Sequence, residues 1–129
     1  MSLRAHTGIM KTPNDIALGI PEMDDAHKEL FYMLAQLQDA ADEDFASGSQ
    51  ELMRALEADL RAENELMARH AYAQRDEHTA EHARIVACLR HAIGSDDSAR
   101  SRRALRLLAV WLQAHMDTMD AALARALKA

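Results

Sequence analysis

His78 and His82 stand four residues apart in Asp76-Glu77-His78-Thr79-Ala80-Glu81-His82, a stretch with neither Pro nor Gly. On an α-helix, residues four apart share a face one turn above the other, so two imidazoles placed this way can hold one metal ion. Alone the pair is a weak signal, because many helices containing histidine carry it by chance. Its weight comes from residues of matching chemistry elsewhere. Asp59 and Glu63 are also four apart, and His27, His115 and Asp120 lie on or beside apolar, helix-periodic segments.

Taken singly, each has a plainer reading. A lone His27 or His115 on an apolar stripe is more often a hydrogen-bonded core histidine than a ligand. A lone Asp59 or Glu63 suggests a partly wet face. As a set they resist that reading, since three carboxylates buried in one core without cations would cost several kcal/mol each. No Lys or Arg shares the stripes near Asp59, Glu63 or Asp120. Two divalent metals would supply the missing positive charge, and four imidazoles would complete their coordination. A dinuclear metal site held by His27, Asp59, Glu63, His78, His82, His115 and Asp120 is therefore expected.

These residues need four helices to position them. Helix A is expected from about Pro21–Asp24 to near Phe45, fading before Ser47-Gly48-Ser49. Pro suits the first turn, and Glu22, Asp24 and Asp25 complement the positive end of the helix dipole. Leu30, Phe31, Leu34, Leu37 and Ala41 continue its stripe from His27. Helix B is expected over about 49–71, with Ser49 as N-cap and Leu52, Leu56, Leu60, Leu66 and Met67 around the two acids. After a break at 72–75, helix C spans about 76–93, with Ile85, Val86 and Leu89 below the histidines. Gly94-Ser95-Asp96-Asp97-Ser98 reads as turn and cap. Helix D then runs to near the C-terminus through Leu105, Leu108, Leu112, His115 and Met119.

Helices this long on short links imply an all-α, antiparallel up-down-up-down four-helix bundle over 21–129, one domain. Residues 1–20 carry Gly8, Pro13 and Gly19 without periodicity and read as an extended arm, with Ile16, Leu18 and Ile20 as its contacts. His115 and Asp120 are five apart and would diverge by about 140° on a straight α-helix. A π-bulge between them would turn both to the metal.

Composition bounds the rest. The chain has 129 residues, 49% apolar and 4% aromatic, with few Gly or Pro, as suits an ordered all-helical domain. Its net charge of −6 argues against nucleic acid. Arg100, Arg102, Arg103 and Arg106 read as a solvated helix start. The single cysteine, Cys88, rules out an internal disulfide and reads as a packed thiol. No long apolar run marks an anchor, so a cytoplasmic protein off the membrane is expected. His6 falls in the arm, His91 on the far side of helix C, and His70 at the end of helix B, where it favours the dipole.

The chain resembles the hemerythrin-like domains, specifically the bacterial hemerythrins. The residues that carry the likeness run from Gly19-Ile20-Pro21-Glu22-Met23-Asp24-Asp25-Ala26-His27 to Leu30-Phe31, then Glu63-Asn64-Glu65-Leu66-Met67, His78-Thr79-Ala80-Glu81-His82, and Trp111-Leu112-Gln113-Ala114-His115 to Asp120. The resemblance implies two non-haem irons joined by an oxo or hydroxo bridge. His78, His82 and His115 would bind one and His27 the other, with Glu63 and Asp120 bridging. It further implies reversible O2 binding for carriage, storage or sensing, with peroxide or nitric oxide as other ligands. Leu60, Trp111 and Leu112 are expected to form the dry O2 pocket.

The sequence departs from that pattern at one ligand. Four residues before the bridging glutamate the family has a histidine, where this chain has Asp59. Ala73 stands where a Pro usually follows the tyrosine, and the arm lacks the family's tryptophan. An ionised Asp59 removes one unit from the pair's net positive charge and adds a hard oxygen donor, which favours the oxidised metal. That moves the site towards a diiron oxidase or peroxidase-like enzyme. Alternatively Asp59 is too short to reach the metal, or favours manganese or a mixed pair, or bonds a coordinated water and leaves O2 binding intact. A metal-free helical interaction module is the remaining reading.

Overall fold

A computed structural model of the chain describes residues 17–93 and 96–129. Among them, α1 spans Pro21–Gln38, α2 Asp42–Arg69, α3 Arg75–Ile93, α4 Ser98–His115 and α5 Ala121–Lys128. A π-helical turn, Met116–Asp120, joins α4 to α5, and the three form one rod. Each rod packs on the next, and α1 closes on α4, giving the expected up-down-up-down four-helix bundle. No described helix is long and apolar enough to cross a membrane.

Pro21 starts α1, and the Asp24 carboxylate reaches back to accept from the backbone N–H of Leu18 (2.7 Å) and Gly19 (3.0 Å). Gly19 has φ 86° and lies under Lys128, whose Nζ donates to the Leu18 carbonyl at 2.7 Å. The two ends of the described chain are thereby tied together. Of the expected arm, Leu18 and Ile20 pack against the buried cluster of Met23, Leu66, Met67 and Leu123. Ile16 and His6 lie outside the described residues, as do Gly94 and Ser95 of the α3–α4 turn. Asp97 caps α4, accepting from Arg100 N–H at 3.2 Å.

The α1–α2 corner differs from the sequence expectation. Helix α1 stops at Gln38, not near Phe45, and α2 begins at Asp42 rather than Ser49. Ser47-Gly48-Ser49 is helix interior. Gly48 lets Leu37 pack close there, because a Cβ would stand 2.5 Å from Leu37 Cδ2 and that side chain would have to shift. Ser49 is buried and donates its hydroxyl to the Ala46 carbonyl at 3.0 Å, so it caps nothing. The run Asp42-Glu43-Asp44 at the positive end of α2's dipole marks the true start. Ala41 is exposed outside the helix and belongs to no stripe.

Arg102 departs from its expected role too. Arg100, Arg103 and Arg106 are exposed, but Arg102 is half-buried. It donates to the Ala40 carbonyl (2.7 Å) and Asp42 Oδ1 (2.8 Å), and its guanidinium lies 4.3 Å from the Phe45 ring centroid. It thus bolts α4 to the corner. Cys88 is exposed rather than packed, because the α3 stripe turns Ile85 and Leu89 inward instead.

Two apolar clusters fill the bundle. The larger includes Leu30 and Leu34 of α1, Leu52 and Leu56 of α2, Ile85 and Leu89 of α3, and Leu105 and Leu108 of α4. The smaller comprises Met23, Leu66, Met67 and Leu123, near the tied ends. A fully buried Leu or Met contributes roughly 1.5–3 kcal/mol, so the clusters supply most of the fold's driving force. Between them the bundle buries a polar layer.

Candidate metal centre

The polar layer consists of His27 from α1, Asp59 and Glu63 from α2, His78 and His82 from α3, His115 from the end of α4, and Asp120 from the π turn. All seven are buried; Asp59, at 8% exposure, is the most open. The structure therefore brings together every metal-ligand candidate named from the sequence.

The π turn is what admits Asp120. The Ala121 N–H bonds the Met116 carbonyl five residues back, as the expected bulge requires. The wider turn swings Asp120 onto the side of His115, with Oδ1 3.1 Å from His115 Nε2.

The cluster has two halves that share carboxylates. In one, His115 Nε2 stands 3.0 Å from both His78 Nε2 and His82 Nε2. In the other, His27, Asp59 and Glu63 each bring a ligand atom within 4.8 Å of the rest. Glu63 and Asp120 divide their oxygens between the halves. Glu63 Oε2 is 3.1 Å from His27 Nε2, while Oε1 is 3.5 Å from His78 and 3.3 Å from His82. Asp120 Oδ2 is 3.2 Å from His27, while Oδ1 is 3.0 Å from His78. One half thus offers three nitrogens and two oxygens, the other one nitrogen and oxygens from three carboxylates.

Asp59 reaches its half despite the short side chain. Its Oδ2 is buried without a hydrogen-bond partner, and so are Glu63 Oε1, Asp120 Oδ2 and His27 Nδ1. Orphaned carboxylate oxygens beside converging imidazole nitrogens are the condition a bound cation would relieve. The 3.0 Å separations bring the three nitrogens within reach of one shared cation.

Without a metal, protons take its place. Burial lowers the His27 pKa, but Asp120 and Glu63 outweigh it and raise it to about 10. The same balance raises His78 to about 9. Burial works against Glu63 ionising, yet His27, His78 and His82 pull it down to about 2. Asp120 is likewise held well below the usual carboxylate range, against burial, by His115, His27 and His78. Asp59 goes the other way. Burial, then the Glu63 charge, pushes it up to about 7.

Two supporting residues were missed from sequence. Asn64 Oδ1 accepts from His82 Nδ1–H at 2.9 Å and from Thr79 Oγ1 at 3.4 Å, which leaves His82 Nε2 free to face the cluster. Glu81 Oε2 accepts from Trp111 Nε1–H at 2.7 Å and is braced by Arg84. Arg84, then Trp111, lowers the Glu81 carboxyl to about 2. The Trp111 ring stacks on His115 at 4.4 Å with 14° between planes. Trp111 therefore backs the three-imidazole half. Leu60 and Leu112 are buried in the larger apolar cluster, and Trp111 packs against that cluster half-buried. Both supporting residues sit beside recognised ligands, but only the helix rotations reveal what they touch.

Fold and site together define a cation-binding helical bundle. The family model described as the hemerythrin HHE cation binding domain matches residues 18–127, nearly the whole chain. The chain belongs to that family. No curated protein and no solved structure gave a significant match.

Proposed function

We propose that this chain is a non-haem diiron O2-binding protein, serving oxygen carriage, storage or sensing. The division of Glu63 and Asp120 between two donor sets supports the reading, since each carboxylate has one oxygen near either set, as bridging a metal pair would need. His78, His82 and His115 would hold one iron, and His27 and Asp59 the other. The mixed imidazole–carboxylate donors, with carboxylates shared between two sets, suit a pair of irons. When bound, a diiron pair supplies the electrons that O2 accepts. The side chains bridge, orient and exclude water: Asn64 fixes His82, Trp111 backs His115, and the larger apolar cluster, including Leu60 and Leu112, shields one side of the layer. The half with fewer imidazoles is the side on which O2, or peroxide or nitric oxide, would enter. A cytoplasmic setting fits an exposed, unpaired Cys88.

The test is iron quantitation combined with absorption spectra of reduced, oxygenated and oxidised protein. Two irons per chain and a visible band that appears with O2 and vanishes on its removal are expected. Immediate, permanent oxidation would defeat reversible carriage. Asp59 favours a second reading, a diiron oxidase or peroxidase-like enzyme, because a third buried carboxylate stabilises the oxidised pair. Turnover of peroxide that Asp59→His abolishes would support it.

A further inference from the structure

The two donor sets differ in kind as well as number. The His78–His82–His115 set presents three imidazole nitrogens, while the Asp59 set presents one imidazole and oxygens from three carboxylates. Divalent affinity rises from manganese to iron at most sites, and nitrogen donors widen that gap. Hard, anionic oxygen donors narrow it, because they suit manganese(II) as well as iron(II). Asp59 tips the balance: its buried Oδ2 has no hydrogen-bond partner, and it joins the one half that has a single imidazole.

We propose that Asp59 is a metal-selecting residue: it makes the His27–Asp59 position accept manganese(II) in place of iron, while the three-imidazole position keeps iron. A chain offered iron together with excess manganese then assembles a mixed iron–manganese pair. This rests on the two-metal reading above. A histidine in place of Asp59 would give the position a second nitrogen and remove one negative charge, widening the preference for iron again.

The test uses the full-length chain, stripped by a chelator and incubated without oxygen with two equivalents of iron(II) and a large excess of manganese(II). Metal content is measured after desalting, and electron paramagnetic resonance reads whether manganese neighbours iron. The expected result is about one iron and about one manganese per chain, with the manganese signal altered by the adjacent iron. In Asp59→His, manganese should fall by at least the roughly 10-fold that loss of a supporting contact costs a metal site, with iron rising to fill the pair. Asp59→Asn, nearly the same shape without the charge, should also lose manganese while keeping the first iron and the wild-type helical circular dichroism. Equal iron-to-manganese ratios in wild type and Asp59→His would overturn the proposal, and so would manganese approaching two per chain. Two irons and no manganese in wild type would overturn it while leaving the two-metal reading standing. Retention of neither metal would overturn both.

Discussion

The two halves of the polar layer are built to different standards. Two imidazoles on the three-histidine side are held from behind, His82 by a hydrogen bond to Asn64 and His115 by the stacked Trp111 ring. On the other side, the outer nitrogen of His27 and one oxygen of Asp59 are buried without a hydrogen bond. A ligand held from behind is already oriented when the metal arrives; one without such support is oriented by the metal itself. The three-imidazole half is therefore the pre-formed one. The Asp59 half depends on what binds there.

That contrast makes its largest prediction for ligand removal. His115→Ala should strip the pre-formed half and, through the shared Asp120, weaken the other, so metal retained after desalting should fall close to zero. His27→Ala should spare the pre-formed half and keep about one metal per chain. Metal analysis of the two variants side by side decides the matter; equal losses would mean that the halves do not differ.

Metal removal should next expose the strain in the layer. A metal present at 100 times its Kd stabilises the fold by about 2.7 kcal/mol, so chelation should lower the melting temperature clearly. The pH dependence gives the sign. His27 near 10 and His78 near 9 hold protons that the unfolded chain, titrating near 6.5, releases. Their contribution to the metal-free fold is whole below pH 6.5 and is lost as pH rises through 9 and 10. Asp59, raised from 3.8 to about 7, adds a loss over that earlier range. Glu63 near 2 instead contributes fully above its ordinary 4.5 and fails as pH falls through 2. Metal-free protein should thus be most stable in mild acid and weaken towards pH 10. Bound metal takes the place of the imidazole protons, so the gap in melting temperature should widen between pH 6.5 and 9. A constant gap across that range would contradict proton displacement.

Much of this could be read from the residues, for reasons that separate the two halves again. The i, i+4 pairs 59/63 and 78/82 show themselves because helical spacing fixes a shared face whatever the surroundings. The five-residue step from His115 to Asp120 was legible as a conflict that a π-bulge would resolve, and the π turn stands at that place. What stayed hidden depends on tertiary fit. Gly48 looks like a helix breaker until Leu37 packs against it, and Arg102 looks solvated until the α1–α2 corner closes beneath it. The roles of Asn64 and Glu81 were equally invisible, since a polar residue beside a ligand faces either solvent or the ligand according to helix rotation.

A smaller effect should come from Asn64. Asn64→Leu keeps the branched shape but removes the acceptor for His82 Nδ1–H, so the imidazole is free to rotate and to exchange tautomers. Affinity for the first metal should fall about 10- to 100-fold, measured by competition with a chromophoric chelator. The second metal should follow only as far as the bridging carboxylates couple the two. An unchanged first affinity would show that the α3 backbone alone orients His82, and the contrast between the halves would lose one of its supports.

The smallest predicted effects lie at Trp111, and they separate stacking from hydrogen bonding behind His115. Trp111→Phe keeps an aromatic face against His115 but gives up the N–H donated to Glu81. Glu81→Gln keeps an oxygen to accept that N–H but gives up the charge paired with Arg84. The Arg84 pair is solvent-exposed, and such surface pairs contribute little to stability. Glu81→Gln should therefore leave metal affinity nearly unchanged. If the indole must be anchored to hold its plane 14° from the imidazole, Trp111→Phe should weaken the first metal more than Glu81→Gln does, because a phenyl ring there has nothing to fix its rotation. The reverse order would place the support for His115 in the Glu81 charge and not in the ring. The three-imidazole half would then owe its pre-formed state to electrostatics at the bundle surface instead of packing within it.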